Sequence, residues 1–320
     1  MSRPKIVILD AYPTNPGDLS WDGMAALGEL TRYEHCPDDH AEVLRRCAGA
    51  EIVLTNKIPF DAATMDALPE LRLIAVQATG YNIVDVEAAR ARGIAVCNVP
   101  GYSTDSVAQL TFAFILEFFS GVMEQDSAVK AGRWTASPDF VFYARPLSEL
   151  SGKTLGVFGF GAIGQKVGRI GAAFGMRVLY HCRTPKTLDF ASFVSREELF
   201  RKSDVLTLHA PMTAQTKGVV NRETLSWMKP GAYLVNTARG GLVDDDALAE
   251  ALNAGRIAGA GIDVLTAEPP PADHPLLHAR NCLVTPHVGW ATHEARVRLM
   301  ATLEDIVKSY LAGSPVNKVN

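Results

Sequence analysis

Apolar residues along this chain gather into short runs separated by stretches of helical spacing. Lys5–Leu9, Ile52–Leu54, Leu73–Val76 and Ile94–Val96 form a first series of runs. Leu155–Phe158, Val178–Tyr180, Val205–Leu208, Tyr233–Val235, Gly261–Val264 and Leu283–Val284 form a second. Continuous apolar runs of this length, bounded by glycine and polar residues, predict strands buried on both faces, as in a parallel sheet. Helices are predicted between them, among others over Ala162–Phe174 before Gly175, over Asp85–Arg92, and over Asp246–Leu252, which Gly255 closes. Ser195 and Glu198 have the spacing of a capping box ahead of another.

The most apolar stretch, Val107–Met123, is predicted as a helix, with Ser103–Ser106 supplying N-cap residues and Gly121 near its end. Gln109 and Glu117 interrupt it, so it falls short of a membrane span. Its phenylalanines, Phe112, Phe114, Phe118 and Phe119, suit a domain core or a subunit contact. A final helix, Thr292–Leu311, follows the last strand and can pack on either domain.

Strands alternating with helices of this length imply an α/β fold of doubly wound parallel sheets. The 320 residues suffice for two domains, each with its own core. Leu155–Phe158 runs straight into Gly159-Phe-Gly161-Ala162-Ile163-Gly164, a G-x-G-x-x-G turn that opens a helix, and Arg177–Tyr180 supplies the next strand. Such a turn lets backbone amides approach a pyrophosphate at the helix N-terminus, so a dinucleotide is the expected ligand. The turn lies mid-chain. Residues 101–289 are therefore expected to form the dinucleotide-binding domain, with residues 1–100 and 290–320 forming a smaller, discontinuous α/β substrate domain.

Composition narrows the partners. The chain is 48% hydrophobic and 21% charged with a formal net charge of −4, which argues against nucleic acid or an anionic membrane. Its five cysteines, Cys36, Cys47, Cys97, Cys182 and Cys282, are scattered without C-x-x-C spacing. Neither a disulfide framework nor a metal site is expected, and a reducing compartment fits. Pro4–Asp10 turns polar too soon for a signal peptide, so a cytoplasmic location is expected.

Three polar residues, Arg239, Glu268 and His287, follow late strands of the second series. Ligands of open parallel sheets bind outside the carboxyl ends of the strands, so the three are expected to converge near the dinucleotide. Arginine can hold a carboxylate through two parallel hydrogen bonds. Histidine can exchange a proton with a carbonyl or an alcohol near neutral pH, and a glutamate beside it fixes the ring tautomer. Each also has a plainer explanation: Arg239 pairing with Asp244 or Asp245, Glu268 as a solvated residue before Pro269, His287 as a half-buried histidine. Behind a dinucleotide turn, the three read together as a catalytic set.

Further motifs appear in order: Ala78-Thr-Gly80-Tyr-Asn82, Asn98-Val-Pro100-Gly-Tyr-Ser-Thr104-Asp-Ser-Val-Ala-Gln109, His209-Ala-Pro211-Met-Thr, Asn236-Thr-Ala-Arg239-Gly-Gly, Asp263 with Glu268-Pro269, and Thr285-Pro286-His287-Val-Gly289-Trp290. With the glycine turn, they make the chain resemble the D-isomer-specific 2-hydroxyacid dehydrogenases over nearly its whole length. The resemblance implies a Rossmann cofactor domain inserted into a flavodoxin-like substrate domain. It also implies a homodimer built through the cofactor domains, with the Val107 helix and Trp134–Pro146 as interface candidates. His287 would be the acid/base, Glu268 its orienting partner, and Arg239 the clamp on substrate carboxylate and carbonyl. Thr79, Gly80 and Tyr81 would hold the far side of that carboxylate. Thr104, Gly159, Gly161, Ala162, Ile163, Gly164, Pro211, Thr216, Thr237, Ala238, Asp263 and Gly289 fall where the family contacts its cofactor. The implied reaction is hydride transfer between a nicotinamide cofactor and a 2-oxo acid, with the D configuration supplied by the family.

One position departs from the NAD pattern. Cys182 stands where an acid would bond the ribose hydroxyls, and Arg183, Thr184 and Lys186 follow. This favours NADP(H) over NAD(H), although Arg183 can also face solvent or stack on adenine. Trp290 either fills the substrate end of the site or packs the domain joint. The motif wording is nearest to glycerate dehydrogenases and glyoxylate/hydroxypyruvate reductases, so hydroxypyruvate or glyoxylate is the expected substrate. D-lactate-type or phosphorylated acids are the alternatives within the family. A non-catalytic dinucleotide sensor of the corepressor type is the alternative outside enzymes, and the presence of Arg239, Glu268 and His287 argues against it.

Overall fold

A computed structural model describes residues 3–320 and divides into two units, residues 3–103 with Ala291–Asn320, and Thr104–Trp290. Residues 101–103 thus fall with the first unit and Trp290 with the second.

In the first unit, β1 (Lys5–Ile8), β2 (Glu29–Arg32), β3 (Ile52–Thr55), β4 (Leu73–Val76) and β5 (Ala95–Cys97) form one sheet. Its order is β2-β1-β3-β4-β5 and every pairing is parallel. This is the flavodoxin order, which reverses between β1 and β3. Every residue of β3 and β4 is buried, which is why both read as unbroken apolar runs. The edge strand β2 is exposed or half-buried throughout, and the hydrophobic pattern does not predict it. The chain end covers the opposite edge, where Val319 donates its N–H to Val96 O and Asn98 donates to Asn317 O. The helix His293–Leu311 belongs to this unit and buries Leu299, Leu303, Ile306 and Val307. At the sheet reversal, the buried carboxylate of Asp10 past β1 accepts the Asn56 and Lys57 N–H groups past β3, at 2.8 and 2.7 Å.

In the second unit, β6 (Thr154–Phe158), β7 (Arg177–His181), β8 (Ser192–Phe193), β9 (Val205–Leu208), β10 (Tyr233–Asn236), β11 (Gly259–Ile262) and β12 (Cys282–Val284) form a seven-stranded sheet. Its order, β12-β11-β10-β9-β6-β7-β8, is parallel throughout and reverses between β6 and β9. The carboxyl ends of those two strands are where a doubly wound fold binds its ligand.

Several elements differ from the sequence expectation. β8 is not predicted, because both its residues are exposed at the sheet edge. β11 spans Gly259–Ile262 rather than Gly261–Val264, so Asp263 lies just past the strand. Its small residues admit Phe114, and a Cβ on Gly261 would stand 2.6 Å from that ring. The helix expected over Val107–Met123 is two helices, Thr104–Ser120 and Val122–Lys130, bent by 53° at Gly121. Gly121 has φ 58°, a conformation that glycine adopts freely. The four phenylalanines of the first helix are interior residues, with Phe118 stacked on Tyr233 at 4.7 Å between centroids. Only half of the capping box forms. Ser195 accepts the Glu198 N–H at 3.1 Å, while the Glu198 carboxylate pairs with Lys202. Among the described residues no single helix is long and apolar enough to cross a membrane.

Candidate active site

Gly159 leaves β6 with φ 91°, and a Cβ there would stand 2.4 Å from the Ala210 nitrogen past β9. A Cβ on Gly164 would meet the Gly159 carbonyl oxygen at 2.1 Å. A side chain at either position would force the turn open. Gly161 differs, because no protein atom beyond its neighbours lies within 4 Å of its Cβ position. The 12-residue helix Ala162–Ala173 starts there, and no side chain caps its first amides. Open amides at a helix N-terminus, beside two positions that only glycine fits, match the pyrophosphate of a dinucleotide.

The chain past β7 also reaches this turn. Lys186 Nζ donates to Phe160 O at 3.2 Å, the Cys182 thiol donates to Thr184 O at 3.0 Å, and Arg183 is exposed. Past β9, Thr216 closes its own loop by donating to Pro211 O at 2.7 Å and accepting the Thr213 N–H at 2.8 Å. Past β10, the buried Thr237 hydroxyl meets Thr111 at 3.1 Å, and Ala238 donates to Asn236 Oδ1 at 3.1 Å. Thr104 begins the helix Thr104–Ser120, and Ile163 is half-buried in the first turn of its helix. His209 is buried at both ring nitrogens without a hydrogen-bond partner in the protein, and burial pushes its pKa down to about 3.

Arg239 follows β10. Its carbonyl accepts from the Asn236 side chain at 2.9 Å, and its Nη1 donates to Ala238 O at 2.7 Å. Asp244 and Asp245 are engaged elsewhere: Asp244 accepts the Ala247 N–H at 3.0 Å, and Asp245 accepts from Thr266 and His274. Gly240 packs on the backbone that leads to Glu268, where a Cβ would stand 2.1 Å from the Leu265 carbonyl carbon. The Arg239 and Glu268 loops therefore share one packed seat.

His287 Nδ1 lies 2.6 Å from Glu268 Oε2, and Glu268 Oε1 accepts the Leu265 N–H at 3.1 Å. Facing a carboxylate, Nδ1 carries a proton, which leaves Nε2 as the nitrogen available to a ligand. The two side chains are 27% and 25% exposed. His287 adopts φ 55°, uncommon for a residue with a side chain.

Asp263 holds that conformation. Its carbonyl accepts the His287 N–H at 2.8 Å. Its carboxylate accepts the Thr285 hydroxyl at 2.6 Å and the Val288 and Gly289 N–H groups at 2.8 Å each. Burial pushes the Asp263 pKa up, against these donors and the nearby His287. Asp263 and Gly289 were expected only as cofactor contacts; they also shape the loop that presents His287. In the first unit, Thr79 donates its hydroxyl to Val99 O at 2.8 Å, its carbonyl accepts from Asn98 at 2.7 Å, and Tyr81 is exposed. Trp290 is half-buried at the end of the second unit.

Residues 112–289 match the family model described as D-isomer specific 2-hydroxyacid dehydrogenase, NAD binding domain. The chain belongs to the D-isomer-specific 2-hydroxyacid dehydrogenases. Among members of this family, it is 44% identical over 320 residues to a hydroxypyruvate reductase of Blautia hydrogenotrophica, covering 99% of each chain. The structure of an NADPH-dependent glyoxylate/hydroxypyruvate reductase from Sinorhizobium meliloti, in complex with NADP and malonate, is 32% identical. It superposes with a TM-score of 0.85 over 99% of this chain and 97% of that one. A D-lactate dehydrogenase of Aquifex aeolicus complexed with NAD and lactic acid is 30% identical, with a TM-score of 0.83 over 96% of each chain.

Proposed function

We propose that the chain reduces a small 2-oxo acid, hydroxypyruvate or glyoxylate, to the D-2-hydroxy acid, and runs the reverse reaction. The 2.6 Å contact between Glu268 and His287 carries this reading, because it lies past the carboxyl ends of the strands, as do the glycine turn and the Arg239 loop. The hydroxypyruvate reductase at 44% identity supports the substrate class.

Arg239 grips the substrate carboxylate with its planar fork of donors and offsets charge that develops on the carbonyl oxygen. Trp290 bounds the substrate. A bound nicotinamide dinucleotide supplies the hydride. His287, as the imidazolium, donates its Nε2 proton to the carbonyl oxygen during reduction and takes a proton from the alcohol during oxidation. Glu268 accepts the Nδ1 proton and keeps the ring turned toward substrate.

The second unit holds the dinucleotide through the amides of Gly161, Ala162 and Ile163 in the glycine cradle, with Thr104, Pro211, Thr216, Thr237, Ala238, Asp263 and Gly289 around it. NADP(H) is favoured over NAD(H): residues 182–186 directly past β7 hold no carboxylate to repel a 2′-phosphate, Arg183 is exposed, and Lys186 stands on the turn. A homodimer is proposed through the same unit, where Met123, Phe140 and Tyr143 are 69%, 91% and 66% exposed. Sedimentation equilibrium giving a dimer supports that assembly, and a monomer overturns it.

Initial-rate oxidation of NADPH and NADH with hydroxypyruvate and glyoxylate tests the activity. Turnover with either acid supports it. Tight dinucleotide binding without turnover of either acid overturns it.

A further inference from the structure

The loop that carries Glu268 is fixed by a residue outside the set of Arg239, Glu268 and His287. Asp245 opens the helix Asp245–Asn253, and its side chain is 10% exposed. Its Oδ2 accepts the Thr266 hydroxyl at 2.7 Å, His274 Nε2 at 3.2 Å and the Thr266 N–H at 3.3 Å. The His274 tautomer follows from its other neighbour. Nδ1 accepts the Leu276 N–H at 3.3 Å, so the ring proton sits on Nε2 and is donated to Asp245. One carboxylate thereby ties both ends of the segment that runs from Thr266 through Glu268 to His274.

The tied segment is also the seat of the Glu268 carboxylate. Leu265, next to Thr266, donates its N–H to Glu268 Oε1, and Oε2 faces His287. On the same peptide, Gly240 approaches so closely that a Cβ would stand 2.5 Å from Thr266 N. The stretch from Arg239 to Asp245 therefore carries the substrate clamp at one end and the loop anchor at the other. Around the His287 imidazole the charged groups are Glu268, by hydrogen bond, and Asp263, past β11. Around Asp245 they are His274 and the half-buried Cys282 thiol, pushed up to about 12 by desolvation and then by the Asp245 charge.

We propose that Asp245 is a positioning residue, which through Thr266 and His274 holds Glu268 against His287 and keeps the proton donor in working geometry. The proposal rests on the reading of Glu268 and His287 as the acid–base pair.

The test is kcat and KM for hydroxypyruvate reduction in Asp245→Asn, Thr266→Val and Thr266→Ser. Dinucleotide affinity is measured beside it by fluorescence titration, and His287→Asn serves as reference. Thr266→Val keeps the side-chain shape and removes the hydroxyl, whereas Thr266→Ser retains the hydroxyl. A Glu268 that is no longer held leaves the His287 ring free to turn, which slows proton transfer and leaves substrate binding in place. The kcat of Asp245→Asn and Thr266→Val should drop on the order of tenfold at nearly unchanged KM and dinucleotide affinity, while Thr266→Ser keeps the parent kcat. Thr266→Val with Thr266→Ser carries the test alone where Asp245→Asn does not fold. Parent kcat in Thr266→Val overturns the positioning role and leaves the acid–base pair standing. Full turnover in His287→Asn overturns the pair itself.

Discussion

The Gly289 N–H meets Asp263 Oδ2 at 2.8 Å, and a Cβ on Gly289 would stand 2.9 Å from that same oxygen. A side chain at position 289 must displace a carboxylate that already holds Thr285 and Val288, and with them the loop of His287. Gly289→Ala is expected to lower turnover by about tenfold or more, because small displacements of reacting groups are costly. Stability should fall by only about 1–2 kcal/mol. Steady-state kinetics beside urea denaturation check this, and parent kinetics in the variant would show that the loop tolerates the shift.

Arg239→Lys keeps the charge and loses the planar pair of donors. The substrate KM should rise by about tenfold or more while dinucleotide affinity stays unchanged. Kinetics at saturating cofactor, with fluorescence titration of the dinucleotide, separate the two. A loss of cofactor affinity alone would remove Arg239 from substrate binding.

Asp10 and His209 should tilt the pH dependence of stability in opposite directions. Burial pushes the Asp10 pKa up from 3.8 to about 6, so the folded state holds that proton more tightly than the unfolded chain. Its contribution is full below pH 3.8 and is lost as pH rises through about 6, on the order of 3 kcal/mol in all. Burial pushes His209 down from 6.5 to about 3, so its contribution is present above pH 6.5 and is lost as pH falls toward about 3. Urea denaturation across this range should show Asp10→Asn removing the first slope and His209→Leu the second. Slopes unchanged in both variants would contradict the burial argument.

How much of this was legible in the sequence depends on burial. β3, β4 and β9 are buried along their whole length and stand out as apolar runs, whereas β2 and β8 sit at sheet edges with polar or exposed residues and do not. The Val107 run hides its break, because Gly121 alone marks the bend between two apolar helices. The places of Arg239, Glu268 and His287 past β10, β11 and β12 were legible from the strand pattern. The work of Asp263 on the His287 loop was not, since a carboxylate collecting backbone N–H groups leaves no periodic signal. The tie between Asp245 and His274 joins residues 29 apart through side chains alone, and only the folded loop reveals it.

Cys182→Asp places a carboxylate directly past β7, where the adenosine ribose of a dinucleotide binds. The ratio of NADPH to NADH efficiency should fall by about tenfold or more, as repulsion acts on a 2′-phosphate and not on free ribose hydroxyls. Arg183→Ala should weaken NADPH selectively. Equal changes for both cofactors in these variants would remove this segment from cofactor choice.

If His287, oriented by Glu268, moves the proton that accompanies hydride transfer, its loss must cost turnover and spare cofactor binding. The most direct measurement is kcat for hydroxypyruvate reduction by His287→Asn, taken with its dinucleotide affinity. A loss of about 10²–10⁴-fold in kcat is expected, with cofactor affinity essentially unchanged. Turnover by the variant at the parent rate would contradict it.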